Sequence, residues 1–123
     1  MALPILKRGQ IWEVDFAPQT HREEPGERQR PALVIQTDLL SDAGHPTTIV
    51  VPGTTKIYRD SQGDGFPLRV ALPRQGSMAA ETDLLIDQVR AVSNRRFLGE
   101  HALAALPASQ MKRVLDALKL LLS

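Results

Sequence analysis

The apolar segments of this chain are short, and turn-forming residues separate them roughly every ten residues. Residues 10–16 alternate apolar and polar side chains, which is the period-two pattern of a half-buried strand. Residues 31–37 contain the run Ala-Leu-Val-Ile, which predicts a strand buried on both faces. Residues 47–52 are rich in β-branched side chains and predict a third strand. Segments of this length and spacing favour a small twisted sheet or barrel.

The later segments predict two or three more strands. Residues 66–72 alternate in polarity, and Pro67 near their start favours an edge position. Residues 84–92 predict a fifth, long strand, with a helix as the competing interpretation because the alternation is imperfect. Residues 102–106 are predicted to form a short closing strand. The polar connection at residues 38–46 is predicted to include one helical turn.

The chain is predicted to end in an amphipathic helix. Apolar residues recur there at three- and four-residue spacing: Ala108, Met111, Val114, Leu115, Leu118, Leu121 and Leu122. Pro107 suits the first turn of such a helix. Because so many apolar side chains are rarely left in water, we expect packing or dimerisation to bury them. The overall prediction is a mainly β fold with a C-terminal α-helix.

Length and composition limit the class of protein. A chain of 123 residues fits one domain spanning residues 1–123. The 15 Lys and Arg nearly balance the 14 Asp and Glu, so any anion site must be a local group of arginines. The absence of cysteine fits a reducing compartment. Because the sequence has neither a signal-peptide pattern nor the ~20 apolar residues of a membrane span, we expect a cytoplasmic protein.

The sequence argues against several kinds of catalytic site. The three histidines lie in separate loops or turns without metal-ligand spacing, and no cysteine is available to complete a zinc site. Neither a phosphate-cradling glycine pattern nor a Gly-x-Ser-x-Gly elbow is present. The settings of four aspartates are mostly typical of turns: Asp60, Asp64, Asp83 and Asp87. We therefore expect no metal site and no cofactor.

The remaining candidates are polar residues at predicted strand ends: Arg30, Thr54 with Thr55, and Asp87 with Gln88. Arg30 stands where a long polar loop meets an apolar strand, so a rigid scaffold would fix its direction. The competing interpretation of this arginine is a surface guanidinium that pairs with Glu23, Glu24 or Glu27. The competing interpretation of Thr54 and Thr55 is that they are ordinary turn hydroxyls. For Asp87 and Gln88, it is that they face solvent from an edge strand.

Several segments match a known pattern in the same order along the chain. They are Lys-Arg-Gly-Gln-Ile-Trp at 7–12 with Asp15 and Pro18, Arg-Pro-Ala-Leu-Val-Ile-Gln at 30–36, Thr-Ile-Val-Val-Pro-Gly-Thr-Thr at 48–55, and Leu-Ile-Asp-Gln-Val-Arg-Ala-Val at 85–92 with Arg95 and Arg96. Together with the terminal helix, they resemble the MazF/PemK-type toxins. The resemblance implies a small SH3-like β-barrel, a homodimer, and a metal-independent endoribonuclease that cuts single-stranded RNA. It also implies regulation by a paired, MazE-like antitoxin protein.

The resemblance also assigns roles to residues. Arg30 and Thr54 take the family's catalytic positions. A further substrate-binding glutamate of the family matches either Glu23 or Glu24. The identity of the general base stays open between these two glutamates and His21.

Substrate contacts are expected from a second set of residues, which would read unstacked bases: Arg28, Thr55, Lys56, Asp87 and Gln88. Gly53 stands where the family usually has an aliphatic residue, and we expect this change to loosen the end of its strand. Two other functions stay open. A CcdB-type toxin of the same barrel poisons DNA gyrase by binding alone, and a degenerate toxin would act only as a structural or regulatory partner.

Overall fold

A computed structural model describes residues 3–16, 28–59, 61–62 and 67–123. Within these residues, eight strands form one sheet. They are β1 (Gln10–Asp15), β2 (Gln29–Val34), β3 (Thr47–Thr54), β4 (Arg69–Leu72), β5 (Thr82–Leu85), β6 (Arg90–Ser93), β7 (Phe97–Leu98) and β8 (Ala104–Ala105). Two α-helices, α1 (Asp38–Asp42) and α2 (Ala108–Leu121), and two 3-10 turns, Ile86–Gln88 and Asn94–Arg96, complete the described elements.

The sheet is organised around β3, its longest strand. The main path runs β4-β5-β3-β2-β1-β7, β6 also pairs with β3, and β8 also pairs with β1. All of these pairings are antiparallel. The first half of β3 pairs with β6, and its last two residues, Gly53 and Thr54, pair with β5. The sheet curls into a half-barrel, which confirms the predicted mainly β fold with a C-terminal helix.

Both faces of the central strands are buried. Trp12, Val14 and Phe16 of the first strand segment pack into a cluster on one face. Ile11, with Leu33 of β2 and Val51 of β3, belongs to the cluster on the other face, where α2 packs. The predicted double burial of the Ala-Leu-Val-Ile run is confirmed for Ala32, Leu33 and Val34.

Helix α2 confirms the strongest secondary-structure prediction, but this chain buries its apolar face only in part. Val114 is fully buried, and Met111, Leu118 and Leu121 pack against the core. Leu122, which follows the helix, is 81% exposed. No helix among the described residues is long and apolar enough to cross a membrane.

The predicted long strand at residues 84–92 is wrong, because a 3-10 turn divides it. Gly53 of β3 pairs with Leu84, and Val50 pairs with Arg90. The two pairs are thus three residues apart on β3 but six residues apart on the partner segment. The three extra residues form the turn Ile86–Gln88, which places Ile86 in the core. Alternation of side-chain polarity does not reveal such an insertion.

Two other strands are shorter than predicted. The strand predicted at residues 66–72 begins at Arg69, because Leu68 has a left-handed backbone conformation with φ +60°. Its edge position is confirmed, since β4 ends the path of the sheet. The closing strand predicted at residues 102–106 is reduced to the two residues of β8, and the helical turn predicted at 38–46 is α1.

Candidate active site

Arg30 is a buried cation in the second position of β2. Its residue is 7% exposed, so the interpretation of Arg30 as a surface guanidinium is wrong. The β1–β2 register pairs it with Val14, and its guanidinium carbon lies 4.7 Å from the centroid of the Phe16 ring. Arg90 approaches the same ring at 5.8 Å. Stacking on an aromatic face stabilises a guanidinium while its N–H donors, which lie in its plane, point elsewhere.

Thr54 ends β3 and lies opposite Arg30. The β2–β3 register pairs Ala32 with Pro52, and extending it by two residues sets Arg30 against Thr54. Side chains at opposed positions of neighbouring strands share one face of the sheet. Thr54 is buried, and its Oγ1 accepts a hydrogen bond of 3.1 Å from the backbone N–H of Lys56. The hydroxyl therefore still has its own hydrogen to donate.

These two residues line one cavity of about 150 Å³ at the rim of the sheet. The described residues around it are Glu13, Gln29, Arg30, Pro31, Thr54, Thr55, Lys56 and Ala79. The cavity lies where β2 begins and β3 ends. Four residues predicted from the sequence, namely Arg30, Thr54, Thr55 and Lys56, thus come together there. Arg30 and Lys56 bring positive charge to the cavity, as an anionic substrate requires.

The other predicted site residues are not part of this lining. Arg28 is exposed and forms an ion pair with Asp15, with 3.1 Å between its Nε and Oδ1. Asp87 and Gln88 lie on the 3-10 turn Ile86–Gln88, which contacts α2. Their contact with RNA stays a prediction. The predictions for Glu23, Glu24 and His21 fall on residues outside the described parts of the chain.

Glu13 is a cavity residue that the sequence did not single out. The alternation of residues 10–16 predicts that its side chain faces solvent, yet it is only partly exposed. Burial raises the pKa of its carboxyl group above the ordinary value. Glu13 precedes Val14, which is the cross-strand partner of Arg30. This neighbourhood could have indicated Glu13 as a site residue, but the pairing is known only from the folded sheet.

An ion pair between Arg59 and the buried Asp83 ties the segment that follows Thr54 to β5. Asp83 of β5 is the cross-strand partner of Thr54 and is completely buried. Both carboxylate oxygens accept hydrogen bonds from Arg59, at 2.8 and 2.9 Å, and Arg69 approaches at 3.7 Å. The prediction of a turn-like setting for Asp83 is therefore wrong. Among the described residues, no group of three His, Cys, Asp or Glu is placed to hold a metal ion.

Neighbouring strands pack so closely at Gly53 that a side chain would not fit there. The expectation that Gly53 loosens the end of β3 is therefore wrong. The residue lies inside β3, is buried and pairs with Leu84. A Cβ atom there would lie 2.5 Å from Thr82 Cγ2 and 3.2 Å from the carbonyl oxygen of Pro31. The missing side chain thus lets three strands approach one another beside Thr54.

Known proteins resemble this chain in sequence and in fold. Residues 7–122 match the family described as PemK-like, MazF-like toxin of type II toxin-antitoxin system. Endoribonuclease MazF9 of Mycobacterium tuberculosis is 29% identical over 94% of this chain and 95% of its own length. Endoribonuclease EndoA of Bacillus subtilis is 28% identical over 97% and 96%. The crystal structure of MazF from Deinococcus radiodurans superposes with a TM-score of 0.68 at 26% identity, covering 99% of this chain and 98% of that one. The chain belongs to the PemK-like, MazF-like toxins of type II toxin–antitoxin systems.

Proposed function

We propose that this chain is the toxin of a toxin–antitoxin pair and that it acts as an endoribonuclease on single-stranded RNA. The observation that carries the proposal is the shared cavity of Arg30 and Thr54 in a chain of this family. The relatives named above are endoribonucleases, which supports the reaction class. A toxin acting on cellular mRNA would work in the cytoplasm.

The proposed chemistry needs no metal ion. The ribose 2′-oxygen attacks the adjacent phosphorus, the bond to the 5′-oxygen breaks, and the products carry a cyclic phosphate and a 5′-hydroxyl. Negative charge grows on the two non-bridging phosphate oxygens during this step. The planar guanidinium of Arg30 is suited to bind these oxygens and cannot lose its charge. The Thr54 hydroxyl donates a hydrogen bond that positions the phosphate.

Base recognition is assigned to the rim of the cavity. Thr55 and Lys56 are exposed there and directly follow Thr54. Arg28, Asp87 and Gln88 lie farther along the proposed RNA path and would contact flanking nucleotides. The placement of Arg90 against Phe16, only two residues after Gln88, supports a positively charged path between the turn and the cavity.

Two protein partners follow from the same proposal. A type II toxin requires an antitoxin protein, and an acidic segment laid over the cavity would neutralise Arg30 and Lys56. A second copy of this chain would cover apolar side chains left exposed here, including Leu122. Light scattering at micromolar concentration is expected to give the mass of a dimer, and a monomer would contradict this assignment.

The test is cleavage of a long unstructured RNA by the purified protein in EDTA. We expect discrete fragments, 5′-hydroxyl ends that a polynucleotide kinase labels without prior phosphatase treatment, and no cutting by Arg30→Ala. Intact RNA would contradict the proposal. If expression in cells instead caused DNA damage with mRNA intact, the alternative of a gyrase poison would replace it, since binding alone does not need the Arg30–Thr54 pair.

A further inference from the structure

Arg90 lies on the same face of the sheet as the proposed catalytic pair. It pairs with Val50 of β3, which in turn pairs with Val34 of β2. Opposed residues of neighbouring strands share a face, and so do residues an even number of positions apart on one strand. Arg30 stands four residues before Val34, and Thr54 stands four residues after Val50. The side chains of Arg30, Thr54 and Arg90 therefore share one face.

The ring of Phe16 brings the two arginines together. Its centroid lies 4.7 Å from the guanidinium carbon of Arg30 and 5.8 Å from that of Arg90. The two carbons are therefore separated by no more than the sum of these distances, about 10.5 Å. Phe16 is buried in the core cluster of this face, so close packing holds its ring in place. The ring thus limits how far apart the two cations can lie.

The charge of Arg90 is available to a ligand. Arg90 is exposed, and no ion pair joins it to an acidic residue in the described parts of the chain. It adds a second positive charge beside that of Arg30, and like charges at such a separation repel each other. A bound anion would relieve this repulsion. The pair is therefore suited to a ligand with successive negative charges, as a nucleic-acid strand carries.

We propose that Arg90 binds a second phosphate of the RNA, next to the phosphate bound by Arg30. This inference rests on the function proposed above. A single ribose joins consecutive phosphates, and each guanidinium reaches its phosphate at hydrogen-bond distance, so two neighbouring phosphates can contact both arginines. Arg90 is not part of the cavity lining that contains Arg30. It is therefore a binding residue that directs the strand, and it takes no part in making or breaking bonds.

The first test measures binding of an RNA that cannot be cut, because it carries a single 2′-deoxyribose at the mapped cleavage site. We expect Arg90→Gln to raise the Kd by ~10-fold, the effect of one lost hydrogen bond to a charged group. The slope of log Kd against log salt concentration should fall by about 0.7, the contribution of one phosphate contact to a single strand. Arg90→Lys keeps the charge and should keep most of the slope. Arg113→Gln, at an exposed arginine of α2, should change neither quantity.

The second test locates the phosphate. A methylphosphonate replaces one phosphate by a neutral group of similar shape, and it is placed in turn on each side of the cleavage site. At the phosphate bound by Arg90, the wild type should lose ~10-fold in affinity, whereas Arg90→Gln should lose almost nothing, because its contact is already absent. Such coupling at either neighbour of the scissile phosphate supports the proposal and gives the direction of the strand. Equal losses in the two proteins at both positions would overturn it.

Cleavage kinetics separate phosphate binding from a structural role. Arg90→Gln should raise KM and leave kcat within about 2-fold, since the contact is the same before and during the reaction. Arg90→Met replaces this variant if Arg90→Gln does not fold. A wild-type Kd and salt slope in the folded variant would show that Arg90 only stacks on Phe16, and would overturn the proposal. The proposed function stands in that case if the wild type cleaves and Arg30→Ala does not. A wild type that leaves RNA uncut removes both.

Discussion

Two buried charges lie on either side of Thr54, and their surroundings differ. On β5, Asp83 is fully enclosed, and Arg59 binds both of its oxygens. On β2, Arg30 stacks on the ring of Phe16 and lines a cavity. In the first case the opposite charge is supplied by the protein at hydrogen-bond distance. In the second, the guanidinium stacks on an aromatic ring, and the residue lines a cavity.

We interpret Asp83 as a structural charge, and we propose a functional role for Arg30. A buried carboxylate bound by a bidentate arginine fixes the segment between Thr54 and Arg59. The guanidinium of Arg30 is planar and permanently charged, which matches the shape and charge of a phosphate group. Substitutions at Asp83 should therefore act on stability first, and substitutions at Thr54 on activity first.

The largest effect on activity is expected at Thr54. Thr54→Val keeps the shape but removes the hydroxyl, and we expect kcat/KM to fall by ~100- to 1000-fold, as for other lost transition-state donors. Thr54→Ser retains the hydroxyl and serves as the control, with activity near wild type. Steady-state cleavage of a mapped RNA measures both. Equal activity of the two variants would show that the hydroxyl has no role in the reaction.

Asp83→Asn should mainly lower stability. The change leaves Arg59 and Arg69 without a buried counter-charge, and we expect the free energy of unfolding to fall by about 3 kcal/mol. Urea denaturation measures this loss. Asp116→Asn is the control, since Asp116 pairs with Lys112 on the exposed surface of α2 and should give no measurable change. If both variants unfolded at the wild-type midpoint, the Asp83 pair would not be structural.

Gly53→Ala should give a smaller loss of stability with a specific rescue. The new methyl group meets Thr82 Cγ2, so we expect a cost of about 1 to 3 kcal/mol. Thr82→Ser removes that Cγ2 atom while keeping the hydroxyl that donates to the Ala80 carbonyl oxygen. In the Gly53→Ala background, Thr82→Ser should recover part of the loss. A double-mutant cycle without coupling would show that the strands adjust by another route.

The parts of the fold predicted from sequence are those with strong local periodicity. Strand β1, the doubly buried run in β2, and helix α2 follow from patterns within a few residues. The turn Ile86–Gln88 was missed because it depends on how two segments share the same edge of β3. The pattern of side chains within residues 84–92 does not show that three of these residues form a turn between two strands that both pair with β3.

The site was predictable only in part, for a related reason. Arg30 and Thr54 were found through their positions at strand ends and the family resemblance, and the register of β2 and β3 brings them together. The sequence does not single out Glu13 or Asp83, because the surroundings of each depend on which residue of another strand pairs with it. Alternation predicts that Glu13 faces solvent, and only the curled sheet shows a cavity on that side.

The most direct test of the central claim is the cleavage rate of Arg30→Ala beside that of Arg113→Ala. Arg113 is an exposed arginine of α2, outside the cavity, whose Nη1 donates to the Ala71 carbonyl oxygen at 3.3 Å. Rates are measured on the same RNA in EDTA, with melting temperatures to confirm folding. We predict that Arg30→Ala loses at least ~100-fold in kcat/KM and Arg113→Ala loses nothing. A folded Arg30→Ala that cleaves as fast as Arg113→Ala would contradict the assignment of this cavity as the active site.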